Sequence, residues 1–319
     1  MDEVEVGPPA TGVRLAWSEV PGWLHEEVAE LLGARVAEAV TQRGGFSPGV
    51  AARLRLTDGS RAFVKAVSAE ANPDSPDIHR AEIRIASALP PEVPAPRLLG
   101  SVDRDGWVAL LFEDIDGRMP AQPWDPAELD RVLDAVTRLA ETLTPAPLAA
   151  PPTAERVGAG FHGWRTLLHA SPDELGRVDP WARRHLAELA EAEETWADAV
   201  AGDTLAHGDL RADNLLLTGD RVYVVDWPWA GLAAPWFDLM AMLPSVRMQG
   251  GPAPETIFDA HPAARGADPA GVTAVLTALT GFFVRQSLLP PPPGLPTVRG
   301  FQAAQGRTSL SWLRTRWPE

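Results

Sequence analysis

Two periods of apolar and polar residues alternate along this chain. Between 36 and 112 the dominant period is two, the mark of strands with one buried face. Val36–Arg43, Val50–Leu56, Arg61–Val67, Arg97–Val102 and Trp107–Phe112 each read as a strand. Asp58-Gly59 closes the second and third into a hairpin. Elsewhere the period is helical. Pro21–Leu32 predicts a short helix, and Asp77–Leu89 a second whose inward stripe is Ile78, Glu82, Ile85 and Leu89. Pro90–Pro96 ends it. Asp125-Pro126 opens a helix with Asp as N-cap and Pro in the first turn, and Leu129, Val132, Leu133, Val136, Leu139 and Leu143 form its stripe. Asp179-Pro180 predicts one long helix to about Val200, and Pro269–Leu289 and Thr297–Trp317 predict the last two. Residues 1–20 are acidic, contain Pro and Gly, and read as loosely held.

One stretch interrupts the helical part. Leu205–Leu217 is an apolar strand, a polar loop and a second apolar strand. Thr218-Gly219-Asp220 then reverses the chain into Val222–Val225, which ends at Asp226. Local geometry therefore brings Asp209, Asn214 and Asp226 near one another. Two carboxylates and a carboxamide oxygen at a loop mouth suit Mg²⁺ and a hydroxyl awaiting deprotonation.

Composition sharpens the picture at one position. Of 28 basic residues, 27 are Arg, and Lys65 on the third strand is the only lysine. A chain that otherwise uses Arg places a compact ammonium there. Glu82, on an inward helix stripe, needs a cationic partner, and Lys65 is the natural one. The loop Gly44-Gly45-Phe46-Ser47-Pro48-Gly49 between the first two strands can lay backbone N–H groups over phosphates.

Other classes are excluded by composition. With no Cys there is no disulfide and no thiolate metal site. A net charge of −15 argues against nucleic acid as a partner and suits a cationic one. The longest apolar run, Pro269–Val284, is too short and too interrupted to span a bilayer. Met1–Val6 lacks the basic-then-apolar order of a signal peptide, so a cytoplasmic protein with no membrane partner is expected.

His207-Gly-Asp-x-x-x-x-Asn214, followed by an apolar hairpin and Asp226, resembles the catalytic segment of the aminoglycoside phosphotransferase family. These small-molecule kinases are related in fold to protein kinases, whose loop reads H-R-D-x-x-x-x-N before D-F-G. The resemblance implies an α+β, two-lobed protein-kinase-like fold. An N-lobe of antiparallel sheet and helix would cover 1–112, a hinge 113–117, and a mostly helical C-lobe 118–319.

It also implies roles. Asp209 would accept the acceptor hydroxyl's proton, and Asn214 and Asp226 would hold Mg²⁺. Lys65, fixed by Glu82, would hold the α- and β-phosphates of ATP or GTP beneath Gly45, Phe46 and Ser47. Arg211 would lie near the γ-phosphate. Phe112 would sit behind the purine, and the backbone of Glu113 and Ile115 would bond its edge. Asp238 would hold the catalytic loop, and His207 would support its backbone.

Gly208 replaces the Arg of H-R-D, Trp227-Pro228 replaces Phe-Gly, and no A-P-E follows. These departures favour a small-molecule phosphotransferase without activation-loop control. The implied acceptor is a small hydroxylated molecule, with cationic compounds and antibiotics (hence resistance) among the candidates. The alternatives are a metabolite kinase of the choline, homoserine or sugar type, a non-catalytic nucleotide-binding protein, and nucleotidyl transfer on the same fold.

Overall fold

The computed structural model describes residues 12–42, 44–46 and 48–317. Ser47, expected in the phosphate loop, lies outside the described residues. Five antiparallel strands form one sheet in the order β1-β2-β3-β5-β4. They are β1 (Val36–Thr41), β2 (Val50–Leu56), β3 (Arg61–Ser68), β4 (Leu98–Arg104) and β5 (Trp107–Glu113). Strand alternation decides what each face carries. Val64 and Ala66 of β3 pack toward helix α1 (Gly22–Leu32), with Leu24 and Val28. Phe63 and Val67 therefore face the other way, toward helix α2 (Ser75–Ala86), and Lys65 lies between them on that same face.

Two expectations are corrected here. Residues 12–20 are not loose: Trp17 and Val20 are buried in the core beneath the sheet, because both are large enough to cap α1 against β2. The buried side of α2 carries Ser75, His79, Glu82 and Ile85, while Ile78 is half-exposed. The helix starts earlier than its apolar stripe predicts, and its buried face is set by Glu82 turning toward the sheet.

Helix α3 (Pro126–Thr142) opens as expected, with the Asp125 carboxylate accepting from the Glu128 amide at 3.0 Å. Short helices α4 (Thr153–Val157), α5 (Gly163–Leu167), α6 (Pro172–Gly176), α7 (Pro180–Arg184), α8 (Leu186–Ala192) and α9 (Trp196–Ala199) follow. The single helix expected from Asp179 to Val200 is thus broken into α7, α8, a 3₁₀ turn and α9. The break turns Glu193 inward. It is fully buried and accepts from the Trp164 and Arg165 amides at 3.2 and 2.7 Å, capping the start of α5.

Strands β7 (Leu215–Leu217) and β8 (Val222–Val224) form the predicted hairpin. Strand β6 (Thr204–Ala206) pairs with β9 (Gly231–Ala233), which the apolar pattern does not predict. Helices α10 (Phe237–Met248), α11 (Pro254–Ala260), α12 (Pro269–Ser287) and α13 (Val298–Arg316) complete the chain. Trp312 of α13 is 1% exposed and serves packing. Among the described residues no helix is long and apolar enough to cross a membrane.

Candidate active site

Lys65 is the meeting point of the sheet, α2 and the β8 end. Its Nζ donates to Glu82 Oε1 and Oε2 at 2.7 and 2.9 Å and to Asp226 Oδ1 at 2.6 Å. The Lys65 and Glu82 side chains are 14% and 3% exposed, so water screens the pair little. Burial pushes the Glu82 carboxyl up to about 7 against the pull of Lys65. Burial would raise Asp226 too, but the Lys65 charge and hydrogen bond outweigh it and hold that carboxyl at about 2. Asp226 has a left-handed backbone, φ 70°, which turns its carboxylate off the end of β8. One turn before Glu82, buried His79 donates from Nδ1 to the Ser75 carbonyl at 3.1 Å. Its Nε2 is buried without a partner, and burial lowers its pKa to about 4, so the ring is neutral.

The loop between β6 and β7 is built around Asp238 of α10. Asp238 accepts from the His207 amide at 2.7 Å and the Gly208 amide at 2.9 Å. His207 Nε2 donates to the Val225 carbonyl at 3.0 Å, and its Nδ1 accepts from the Asp209 amide at 3.2 Å. The imidazole therefore braces two backbone segments, and burial keeps it uncharged. Gly208 has φ 83°, and a Cβ there would lie 2.6 Å from the Trp229 carbonyl oxygen. Asn214 Nδ2 donates to the Asp209 carbonyl at 2.8 Å, which leaves its Oδ1 as an oxygen donor.

Asp209 is raised to about 7 by burial, with Arg211 opposing. Arg211 is ion-paired to Asp209 and to Asp213, the latter through Nε and Nη2 at 3.0 and 2.9 Å. Its guanidinium also lies 5.8 Å from the Phe46 ring and 5.6 Å from the Phe301 ring. Phe46 and Phe301 meet edge-on at 5.0 Å, so the Gly-rich loop rests on α13 directly over Arg211. Asp213 and Phe301 were not expected at the site.

Residues 43–274 match the family model described as "Phosphotransferase enzyme family". The chain belongs to that family. Among solved structures, this phosphotransferase is similar to a thermostable mutant of aminoglycoside phosphotransferase APH(4)-Ia in ternary complex with ADP and hygromycin B. The two are 15% identical over 92% of this chain and 98% of that one, with a TM-score of 0.60. A choline/ethanolamine kinase family protein from Mesorhizobium loti is 15% identical over 92% and 93%, TM-score 0.56. APH(3'')-Id from Streptomyces rimosus, with ADP and streptomycin, is 23% identical over 72% and 90%, TM-score 0.50. No curated protein sequence matches the chain. The fold is that of the protein-kinase-like phosphotransferases, and the protein is a small-molecule phosphotransferase.

The remaining predicted positions lie on the Gly-rich loop, at the end of β5 and in the segment that follows it. Gly45 has φ 84°, and Gly44 approaches Met119, where a Cβ would lie 3.4 Å from its Cε. Phe112 is buried, with Lys65 Nζ 5.8 Å from its ring centre. Glu113 ends β5 opposite Ala62. Segment 113–117 is pinned by Arg53, which donates to the Ile115 and Gly117 carbonyls at 2.6 and 3.2 Å and pairs with Asp114 at 3.1 Å.

Arg14 was also unforeseen. It donates through Nη2 to the Gly44 carbonyl, and its charge acts on Asp226. No group of three or more His, Cys, Asp or Glu side chains forms a metal cage among the described residues. Asp226 and Asn214 supply one carboxylate and one carboxamide oxygen. That set suits a Mg²⁺ ion whose other ligands are water and phosphate.

Proposed function

We propose that this phosphotransferase moves the γ-phosphoryl group of ATP or GTP to a hydroxyl of a small molecule, with Mg²⁺ held by Asn214 and Asp226. The observation that carries this reading is the convergence of Lys65, Glu82, Asp226, Asn214 and Asp209, from four separate elements, on one cleft. Lys65, oriented by Glu82, binds the α- and β-phosphates. Asp209 takes the acceptor's proton, and Asp238 with His207 fixes where that carboxylate stands. Arg211 lies against Asp209 and reaches the transferred phosphate by exchanging one carboxylate for it. Bound Mg²⁺ would neutralise charge on the β- and γ-phosphates. The purine is read by the backbone of Glu113 and Ile115, in the 113–117 segment that joins 1–112 to 118–319.

The acceptor enters beside the Phe46–Phe301 contact. A cavity of about 360 Å³ lies further along α13, between it, α10 and α11, lined by Arg247, Met248, Glu255, Ala304, Arg307 and Trp312. Met248 and Ala304 belong to the same apolar cluster as Phe46 and Phe301, the rings that lie over Arg211. Similar folds bind hygromycin B and streptomycin alongside ADP, which supports a hydroxylated small-molecule acceptor and keeps antibiotics among the candidates. Two arginines in the cavity wall favour, as a second reading, a metabolite less basic than those antibiotics.

The test is an intact-mass screen with Mg²⁺, ATP and GTP against pooled hydroxylated antibiotics and metabolites, with Asp209→Asn as control. One acceptor gaining a phosphoryl mass with the wild type alone is the expected result. Nucleotide binding with no transfer to any pool would favour a non-catalytic protein, and gain of a nucleotidyl mass would replace phosphoryl transfer.

A further inference from the structure

We propose that Arg14 is a phosphate-binding residue of the nucleotide site, supplied by the segment before the first helix. It lies outside the residues 43–274 that match the family. The inference rests on the nucleotide-binding reading above and adds a residue to it.

The backbone fixes where Arg14 starts. Arg14 forms a parallel bridge with Gly49, the last residue before β2. The Leu15 amide donates to the Gly49 carbonyl at 3.0 Å, and the Gly49 amide donates to the Val13 carbonyl at 3.3 Å. On its other side, the Val13 amide donates to the Gly294 carbonyl at 2.9 Å, in the loop before α13. The segment is therefore held between the Gly-rich loop and the helical part of the molecule.

The side chain then crosses to the far end of the loop. Nη2 donates to the Gly44 carbonyl, and a Cβ on Gly45 would lie 3.4 Å from that nitrogen. The guanidinium thus spans the turn that would cover the phosphates. Glycine at 45 takes the left-handed φ of 84° that this turn needs. Burial disfavours the charge on Arg14 and Asp226 opposes that, while Arg14 in turn disfavours protonation of His79, so both groups lie within reach of its charge. Both lie beside Lys65, so the guanidinium is on the phosphate side of the loop.

The chemistry of the cleft makes a third cation useful. Lys65 stands between Glu82 and Asp226, and Arg211 between Asp209 and Asp213. A triphosphate brings about four negative charges among these carboxylates. A planar guanidinium fork at the loop matches two phosphate oxygens at once, which an ammonium does not.

The test is calorimetric titration of the full chain with Mg²⁺, using nucleoside, di- and triphosphate of the adenine and guanine series. Wild type, Arg14→Gln and Arg14→Lys are compared. Arg14→Gln is expected to weaken triphosphate binding by about tenfold or more, the diphosphate less, and the nucleoside by under about twofold. Arg14→Lys should fall between wild type and Arg14→Gln, because it keeps the charge and loses the fork. Equal weakening of nucleoside and triphosphate would overturn the proposal and leave Arg14 as a brace for the loop. Unchanged triphosphate affinity would overturn it while leaving the nucleotide reading intact. A wild type that binds neither ATP nor GTP would sink that reading and this proposal together.

Discussion

Replacing Arg211 with Ala should move the pH at which this enzyme switches on. Asp209 is held near 7 by two opposed effects: burial raises it, and Arg211 lowers it. Arg211→Ala removes the lowering charge and leaves the Asp213 carboxylate, which itself raises Asp209, without its partner. A cation within hydrogen-bonding reach lowers a carboxyl by about 1–3 units. The Asp209 and Arg211 side chains are 28% and 14% exposed, so water screens the pair in part and the low end applies. An upward shift of about one unit follows, equal to about 1.4 kcal/mol.

The sign follows from the proposed role of the group. A general base works ionised, so kcat/KM rises with pH and levels off above the pKa. The wild type should show its inflection near 7. The variant should show it near 8, losing about fivefold at pH 7 from protonation alone and regaining that factor by about pH 9. Loss of Arg211 also lowers the plateau, by removing the cation that rests on Phe46 and Phe301. The inflection, not the plateau, is therefore the measurement. It is read from kcat/KM for the nucleotide at saturating acceptor, which reports the nucleotide-free site where Arg211 still rests on Asp209, by nucleotide diphosphate release across about pH 5.5 to 9.5. An inflection that stays put or moves down in Arg211→Ala would refute the assignment of Arg211 as the partner that tunes Asp209. A wild-type profile flat to the acid end would refute Asp209 as the base.

Three further outcomes are expected. Lys65→Ala leaves buried Glu82 facing Asp226 without a cation and should cost about 3–5 kcal/mol in urea unfolding; a loss under about 1 kcal/mol would refute the buried-pair argument. Asp238→Asn places a carboxamide N–H against one of the His207 and Gly208 amides, so stability should fall by about 1–3 kcal/mol and kcat by at least tenfold, with nucleotide affinity held. Gly208→Ala sets a Cβ 2.6 Å from the Trp229 carbonyl and should displace Asp209 enough to lower kcat about a hundredfold; an unchanged kcat would show that the loop yields without cost.

The parts of the site that could be read from the sequence are those that local geometry assembles. Asp209, Asn214 and Asp226 sit on one strand-loop-hairpin unit, where turn chemistry and apolar alternation fix their relation within twenty residues. Lys65 and Glu82 were legible for a different reason. A lone lysine and a glutamate on an inward stripe each demand a partner, and the two meet at 2.7 Å.

What stayed hidden depends on contacts between distant segments. Arg14 reaches Gly44 only because a parallel bridge to Gly49 holds it there, and no periodicity marks such a bridge. Phe301 covers Arg211 across some ninety residues of intervening chain, and its place in α13 reads simply as apolar. Asp213 looks like a loop residue until Arg211 is seen to lie between it and Asp209. The break between α7 and α9 was missed because its cause, Glu193 turned inward to cap α5, is tertiary.

The arrangement of charge in the cleft suggests why Arg211 is placed against the base and not free beside the phosphates. In the proposed reaction the γ-phosphate and Asp209 compete for one guanidinium. While Arg211 rests on Asp209, the carboxylate is a weaker base than its burial would make it. As Arg211 turns toward phosphate oxygens it neutralises the charge there and withdraws the cation that held Asp209 down. Desolvation then acts on Asp209 unopposed, with Asp213 and Asp226 adding to it, and the carboxylate becomes a stronger proton acceptor as the phosphoryl group is engaged. Asp213 limits the movement, because its two hydrogen bonds to Nε and Nη2 keep the guanidinium anchored while Nη1 changes partner. One residue thus ties phosphate binding to base strength. That coupling predicts that Arg211→Ala separates the two: the variant keeps a basic Asp209 whose inflection no longer differs between nucleotide-saturated and nucleotide-limited conditions. An inflection that still moves with nucleotide in the variant would place the coupling elsewhere in the cleft.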